Sequence, residues 1–186
     1  MPAAEGAVGR VAAVDALTAL LLAARDGDRS ALRAFVERSQ GEVWRFVAHE
    51  VGTAEADDVT QDAHVRAWRA LPAFRHQASA RTWHLSIARR ACVDARRRRG
   101  RRSRLGARLA DGARADAPDP AEVHALDALL SRLEPGRREA FVLTRLPGCS
   151  YAETATVSGV PVGTVRSRVA RARTDLIEAL AVDAAS

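Results

Sequence analysis

Apolar residues recur three and four positions apart along most of the chain, and this spacing restricts the fold more than any other feature of the sequence. Such spacing places one apolar stripe along each α-helix. No alternation of apolar and polar residues runs for more than about four positions, so no half-buried strand is predicted. Aromatic residues make up only 4% of the 186 residues. A core built mostly from Ala, Val and Leu suits closely packed helices, and the predicted fold class is all-α.

Local stop and start signals divide the first half of the chain into helices. The pair Gly27–Asp28 predicts a helix end followed by a new cap, and Gly52 predicts the end of the next helix. A third helix is expected over 55–71, where Pro72 would stop it. A loop over 73–80 and a fourth helix over 81–99 should follow.

The segment over 100–120 has a different composition from the rest. It contains mainly Arg, Ala, Gly and Asp, has almost no apolar periodicity and ends in Ala-Pro-Asp-Pro. Proline disfavours helix, and a segment this polar buries too little surface to offset the entropy lost on ordering. We therefore expect two small helical domains, over 14–100 and 121–180, joined by a flexible linker over 101–120.

Positive charge is concentrated in one stretch of the sequence. Every basic residue is Arg, and the stretch over 71–108 contains 12 Arg and a single acidic residue, Asp94. Its net charge of +11 exceeds the +6 of the whole chain. Such a block attracts a polyanion. A solvated tail is the alternative, but apolar helix patterning continues into the block and favours a folded, nucleic-acid-binding surface.

The second domain contains the sequence signals of a helix-turn-helix. Ser150 can cap a helix, and Glu153 three residues later completes a capping box. Gly159 falls where the chain must turn tightly, and Pro161 can open the following helix. A helix, a short Gly turn and a second helix form the helix-turn-helix arrangement.

The second of these helices has two distinct faces at about 100° per residue. Its packed face should consist of Val165, Val169, Ala172 and Leu176. Its far face should present Ser167, Ala170 and Arg171, flanked by Arg166 and Arg168. Small residues allow a close approach to the major groove, and Arg binds the acceptors of guanine bidentately. An Arg-rich helix that is merely solvated is the alternative.

Several functional classes are disfavoured by the composition. No window approaches the roughly 20 apolar residues of a membrane span, and the first residues lack the order of a signal peptide. Cys92 and Cys149 cannot form a disulfide framework. The five His residues show neither metal-ligand spacing nor a Gly-framed nucleophile beside them. We expect a cytoplasmic protein that is not an enzyme and has no cofactor, metal or membrane partner.

Two segments resemble a known family. The segment over 55–74, EADDVTQDAHVRAWRALPAF, is similar to conserved region 2.2 of group IV, extracytoplasmic-function (ECF) sigma factors of bacterial RNA polymerase. The segment over 150–173, SYAETATVSGVPVGTVRSRVARAR, is similar to their region 4.2. Both occur in the family's order, without a middle domain. The resemblance implies a sigma factor that binds core polymerase and directs promoter-specific initiation by recognising −35 and −10 elements.

The resemblance also implies which residues make these contacts. Residues expected to meet the β′ clamp helices of the core are Asp57, Asp58, Gln61 and Asp62. Residues expected to bind −10 DNA are Gln77, Ser79, Arg81, Trp83, Arg89, Arg90, Arg96 and Arg97. Residues expected to bind −35 DNA are Thr164, Arg166, Ser167, Ala170, Arg171 and Arg173. The β subunit and an anti-sigma factor are further partners by family analogy.

Some of these assignments have alternatives. The acidic helix face could be simply solvated, and Trp83 could be a core residue. His64 stands where the family usually has a bulky apolar residue, and Arg90 stands where an Asn is common. The competing hypothesis for the whole chain is a stand-alone helix-turn-helix repressor or activator. That hypothesis explains the second domain but gives the first no purpose.

Overall fold

The computed structural model describes residues 15–109 and 125–184, and all regular structure in these ranges is helical. The helices are α1 (Ala16–Arg25), α2 (Arg29–Val51), α3 (Thr53–Ala70), α4 (Ala80–Leu109), α5 (Ala125–Ser131), α6 (Pro135–Arg145), α7 (Tyr151–Ser158) and α8 (Val162–Ala184). A 3₁₀ turn over Leu71–Ala73 follows α3. The all-α prediction is confirmed.

Short polar and glycine signals set the boundaries of the first helices. Asp15 caps α1 by accepting a hydrogen bond from the backbone N–H of Thr18 at 2.9 Å. Asp28 caps α2 by accepting from the N–H groups of Ser30 and Ala31, which confirms the predicted new cap after Gly27. Gly52, with φ of 91°, ends α2 where the sequence predicted. Helices that begin and end at such caps leave few backbone N–H and C=O groups without a hydrogen-bond partner.

Helix α4 is longer than predicted. The expected end at Arg99 is wrong, because α4 continues through Gly100 to Leu109. Arg and Ala are strong helix formers, and a single Gly costs only about 1 kcal/mol in a helix interior. The first nine residues of the predicted linker are therefore helical, while its remainder over 110–120 lies outside the described residues. The flexibility of the linker stays a prediction.

The helices of the second half agree closely with the sequence signals. Helix α6 begins at Pro135, because Glu134 caps it by accepting hydrogen bonds from the N–H groups of Gly136 and Arg137. The predicted capping box of Ser150 and its partner Glu153 is present at the start of α7. Gly159 adopts a left-handed conformation, φ 69°, between α7 and α8. This residue makes the tight turn that the helix-turn-helix requires.

One apolar cluster joins the two halves of the chain. From α2 and α4 it includes Phe46 and Leu85, and from the second half it includes Leu133, Leu143 and Val157, all at most 4% exposed. Helix α4 packs against α7, and α2 packs against α6. The two halves therefore share a core in this conformation rather than burying two separate cores.

A second apolar cluster fixes the start of α4. Its centre is formed by Leu21 of α1, Phe35 of α2 and Phe74 of the loop between α3 and α4. The backbone N–H of Ala80 donates to the buried hydroxyl of Thr18 at 2.9 Å. This bond ties the first turn of α4 to α1, so the loop over 74–79 is held at both ends.

Candidate nucleic-acid and protein interfaces

The predicted core-binding residues lie together on one side of α3. We call Asp57, Asp58, Gln61 and Asp62 the docking face. The first three are exposed, and Asp62 is half-buried. Their spacing repeats every three or four residues, which keeps them on one side of the helix.

Asp62 differs from the other members because it has an internal partner. Arg66 donates to both of its carboxylate oxygens, at 3.1 and 2.8 Å. Arg66 also donates to Asp94 of α4 at 2.6 Å. These hydrogen bonds raise the pKa of Arg66 and lower that of Asp94. The one acidic residue of the basic stretch therefore links α4 to α3, and Asp62 offers a partner less free charge than Asp58 does.

Three exposed apolar residues beside the docking face were missed by the sequence analysis. Val65 and Trp68 are 41% and 56% exposed on α3, and Trp44 is 37% exposed on α2. The indole Nε1–H of Trp44 donates to Oδ1 of Asp57 at 2.7 Å. Trp68 lies seven residues after Gln61, a spacing that returns to the same helix face, and this spacing was a signal available in the sequence.

The loop between α3 and α4 holds the first predicted −10 residues. Gln77 is exposed, and Ser79 caps α4 by accepting from the N–H of Thr82 at 3.2 Å. His76 has φ of 54°, a left-handed conformation that non-glycine residues rarely adopt. Strain of this kind clusters at ligand-binding segments. Gln77 is the residue directly after this left-handed position, and its side chain is exposed to solvent.

Besides Ser79, which caps α4, four of the eight predicted −10 residues are already engaged within the protein. Arg81 donates to Glu42 of α2 at 2.5 Å, and Arg96 donates to Glu50 at 2.6 Å. Trp83 is half-buried against Phe74, with ring centroids 5.2 Å apart. The fourth is Arg89, which bonds to the second half of the chain. Arg90 and Arg97 are exposed.

Helix α8 has the two faces that the sequence predicted for it. Val165, Val169 and Ala172 are at most 1% exposed, and Leu176 is partly buried. The predicted −35 residues other than Thr164 are exposed, namely Arg166, Ser167, Ala170, Arg171 and Arg173. The packed-face prediction is confirmed. A narrow exposed strip of Ser, Ala and Arg has the shape and donors that a major groove accepts.

Helix α4 is covered by the second half of the chain along the surface that contains Arg89. Its Nε donates to Oε1 of Glu139 at 2.8 Å, and the Glu139 side chain is nearly buried. Nearer the start of α4, the hydroxyl of Thr82 donates to Glu153 of α7 at 3.5 Å. Burial raises the pKa of nearby Glu50, an effect that Arg96 opposes and Glu139 reinforces. Carboxylates and guanidinium groups thus meet at the junction of the two halves.

Two histidines form an unusual contact in the first half. His64 of α3 and His84 of α4 have ring centroids 5.0 Å apart, and Phe35 lies 5.2 Å from His84. None of the four ring nitrogens has a hydrogen-bond partner among the described residues. Burial, together with His64, lowers the pKa of His84 to about 3, and burial also lowers that of His64.

The described part of the chain contains neither a cluster of metal ligands nor a membrane-spanning helix. Within residues 15–109 and 125–184, no three His, Cys, Asp or Glu side chains come together as metal ligands. No described helix is both long and apolar enough to cross a membrane.

Comparisons with known proteins show which family each half of the chain resembles. The family model for Sigma-70 region 2 matches residues 35–102, and the model for Sigma-70 region 4 matches residues 124–176. The chain is 46% identical over 168 residues to the ECF RNA polymerase sigma factor SigC of Mycobacterium tuberculosis, covering 88% of this chain and 90% of that one. It is 33% identical over 162 residues to the ECF RNA polymerase sigma-E factor of Escherichia coli, covering 79% and 85%.

Solved structures show the same fold. CnrH, in complex with the cytosolic domain of CnrY, matches with a TM-score of 0.71 at 31% identity, over 91% of this chain and 99% of that one. The sigma factor RpoE of Bartonella quintana, in complex with the anti-sigma factor NepR, matches with a TM-score of 0.68 at 27% identity, over 81% and 97%.

A chain whose described regular structure is all helical, with a region 2 match and with a region 4 match that includes the helix-turn-helix of α7 and α8, is a sigma factor of the sigma-70 type. The chain belongs to the ECF sigma factors, which bind RNA polymerase core and direct promoter-specific transcription initiation. The stand-alone repressor or activator is set aside, because region 2 matches the half that this alternative left without a purpose.

Proposed function

We propose that three surfaces divide the work of initiation. The docking face of α3 binds the β′ clamp of the core, the loop over 74–79 and α4 bind the −10 element, and α8 binds the −35 element. The observation that carries this proposal is the placement of exposed acidic, basic and groove-fitting surfaces on three different helices. The chain performs no bond chemistry of its own, because polymerase supplies the active site.

The docking face supplies negative charge and apolar surface side by side. Asp58 and Gln61 are exposed, and no side chain within residues 15–109 and 125–184 pairs with theirs, whereas Asp62 pairs with Arg66. Val65 and Trp68 lie on the same helix and are exposed as well. Interfaces gain most of their affinity from a few such residues, Trp above all, surrounded by polar groups that set orientation. The partner should therefore present a basic, amphipathic helical surface.

Replacing Asp58 and Gln61 with Ala should weaken binding to core polymerase by about tenfold or more, since two residues near the centre of the surface are lost. The measurement is equilibrium binding of labelled core to the full chain. Glu37→Ala on α2 is the matched control, because it removes an exposed carboxylate that pairs with Arg33 and belongs to a different helix from the docking face. Equal affinity of the double variant and the control would contradict this assignment.

Helix α8 is proposed to read the −35 element through its exposed strip. Arg137 of α6 bonds to Asp175 of α8 at 2.7 Å and helps to fix the helix on its support. A rigid support matters because base readout depends on side-chain placement within a fraction of an ångström. The strip around Arg171 is free of the contacts that cover α4.

Arg171→Ala should relax preference at one or two −35 positions, because a bidentate Arg–guanine contact contributes about 1–3 kcal/mol of discrimination. Binding is measured on a set of −35 duplexes with single substitutions. Arg145→Ala, an exposed Arg on α6, serves as control. A uniform loss on all sequences would instead make Arg171 a phosphate contact.

The −10 surface is proposed to become available only when the two halves separate. Arg89 bonds to Glu139, and α7 packs on α4, so DNA and the second half compete for the same helix. The exposed Arg90 and Arg97 and the loop residue Gln77 can meet DNA first. The described conformation is then a closed form, and polymerase or promoter binding must favour an open one.

An anti-sigma factor is also proposed as a partner, and the cytoplasm as the site of action. CnrH was solved in complex with the cytosolic domain of CnrY, and the Bartonella RpoE was solved in complex with the anti-sigma factor NepR. The present chain covers almost the whole of each of those sigma factors. Co-purification of a bound protein with the tagged full chain would test this partner directly.

A further inference from the structure

Trp44 stands outside the segment that resembles region 2.2, yet it touches the docking face. It belongs to α2, whereas the docking face belongs to α3, and its indole N–H reaches Asp57 across the helix pair at 2.7 Å. The two residues are 13 positions apart in sequence. Helix packing, rather than local spacing, therefore brings them together.

We propose that Trp44 is a positioning residue for polymerase docking, whose indole N–H holds the Asp57 carboxylate in its binding orientation. This inference rests on the proposed role of the docking face. It assigns a function to a residue that no comparison singles out.

The indole N–H accounts for a feature that packing alone does not explain. Trp44 is 37% exposed, so much of its ring is not used to fill the core. A Phe at this position would keep an aromatic ring on this face of α2 but would leave Asp57 without this donor. Asp57 has no other hydrogen-bond donor among the contacts described for it, and a hydrogen bond to a carboxylate is stronger than one between neutral groups.

The contrast within the docking face supports a positioning role. Asp62 is held by Arg66, which also cancels part of its charge. Asp57 is held by a neutral donor, so it keeps its full negative charge while its side chain is fixed. A fixed, fully charged carboxylate suits a basic partner, because less side-chain entropy is lost when the complex forms.

The experiment is a double-mutant cycle on the full chain, with Trp44→Phe, Asp57→Ala and the combination. Affinity for labelled polymerase core is the readout. Trp44→Phe should weaken binding about three- to tenfold in the natural background, the cost of one side chain that must be ordered on binding. In the Asp57→Ala background the same change should have almost no effect, because there is no carboxylate left to position.

Trp68→Phe is the matched control, because Trp68 is an exposed Trp on the docking side with no described hydrogen bond to Asp57. Its effect should be the same in both backgrounds. Urea unfolding of each variant shows whether the fold is intact. A Trp44→Phe effect that is equal in both backgrounds, or absent from both, would overturn the positioning role. If Asp57→Ala itself leaves affinity unchanged, Asp57 is not a docking residue, whereas the Asp58 and Gln61 test still decides the docking face.

Discussion

Acidification from about pH 7.5 to about pH 5.5 should lower the free energy of unfolding by about 1.5–2.5 kcal/mol through the His64–His84 pair. His84 is 1% exposed and its pKa is lowered to about 3, while that of His64 is lowered by burial. A histidine with a lowered native pKa binds protons more readily in the unfolded chain. Stability is therefore full above the unfolded pKa of about 6.5 and is lost as pH falls below it.

The surroundings of the pair leave protonation without compensation. The charge that acts on His84 is that of His64, which opposes a second proton. The half-buried charged groups on the helices packed around it have partners elsewhere. On α2, Glu42 pairs with Arg81 and Glu50 with Arg96; on α3, Asp62 pairs with Arg66, which also binds Asp94 of α4; on α4, Arg89 pairs with Glu139. Protonation would thus place an unpaired charge between α3 and α4.

The variant His64→Leu with His84→Leu tests this expectation. It should lose most of the pH dependence between about pH 7.5 and pH 5.5, and it should be more stable at the higher pH because four unpaired ring nitrogens are removed. Urea unfolding at both pH values gives the free energies. The lowered pKa values of Asp15, Asp28 and Glu153 act at lower pH, and the raised pKa of Glu50 acts in the opposite direction. An unchanged difference between the two pH values in the Leu variant would contradict the assignment.

The His64–His84 pair shows what sequence reasoning can and cannot supply. The sequence identified His64 as a departure from an apolar family position, because that comparison needs only the residue itself. Its contact with His84 depends on how α3 and α4 pack. The same limit applies to Trp44 and Asp57, whose hydrogen bond crosses from one helix to another.

Local signals predicted local structure well. The cap at Asp28, the glycine stop at Gly52 and the capping box at Ser150 are each decided by a few neighbouring residues, and each was predicted correctly. The packed face of α8 follows from helix geometry alone and was also correct. The end of α4 was missed because the high helix propensity of Arg and Ala outweighed the polar composition that suggested a linker.

Net charge predicted a basic surface but not its internal pairing. The composition counts 12 Arg in the stretch over 71–108 without showing which of them face acidic residues from other helices. Arg81, Arg89 and Arg96 each bond to a carboxylate at least 39 residues away in sequence. Such pairs depend on tertiary packing. The available positive surface is therefore smaller than the +11 charge implied.

Replacing Glu139 with Ala should shift the protein from the closed form toward the open one by about tenfold. Glu139 is nearly buried and pairs with Arg89, which stays partly exposed and can be solvated once the pair is lost. Removing one partner of a pair of this kind costs on the order of 1–3 kcal/mol, after allowing for the exposure of the Arg. A cost of 1.4 kcal/mol changes the ratio of open to closed forms tenfold.

The native cysteines report this opening. Cys92 and Cys149 are buried in the cluster that joins the two halves, and burial raises the pKa of their thiols to about 12 and about 11. A thiol with so high a pKa is unreactive while it stays buried. The rate of labelling by a bulky thiol reagent should therefore follow the open population when opening and closing are fast.

Glu139→Ala should raise the labelling rate of Cys149 about tenfold, measured in a Cys92→Ala background so that one thiol is observed. Asp175→Ala is the matched control: it removes a carboxylate from the pair with Arg137, which lies wholly within the second half. That change should leave labelling unaltered, because it does not touch the junction with α4. Adding core polymerase to the Cys92→Ala protein with Glu139 intact should accelerate labelling of Cys149 if binding selects the open form. Fast labelling of the natural chain, equal to that of Glu139→Ala, would mean that the two halves are already apart in solution, and the −10 surface of α4 would then need no release.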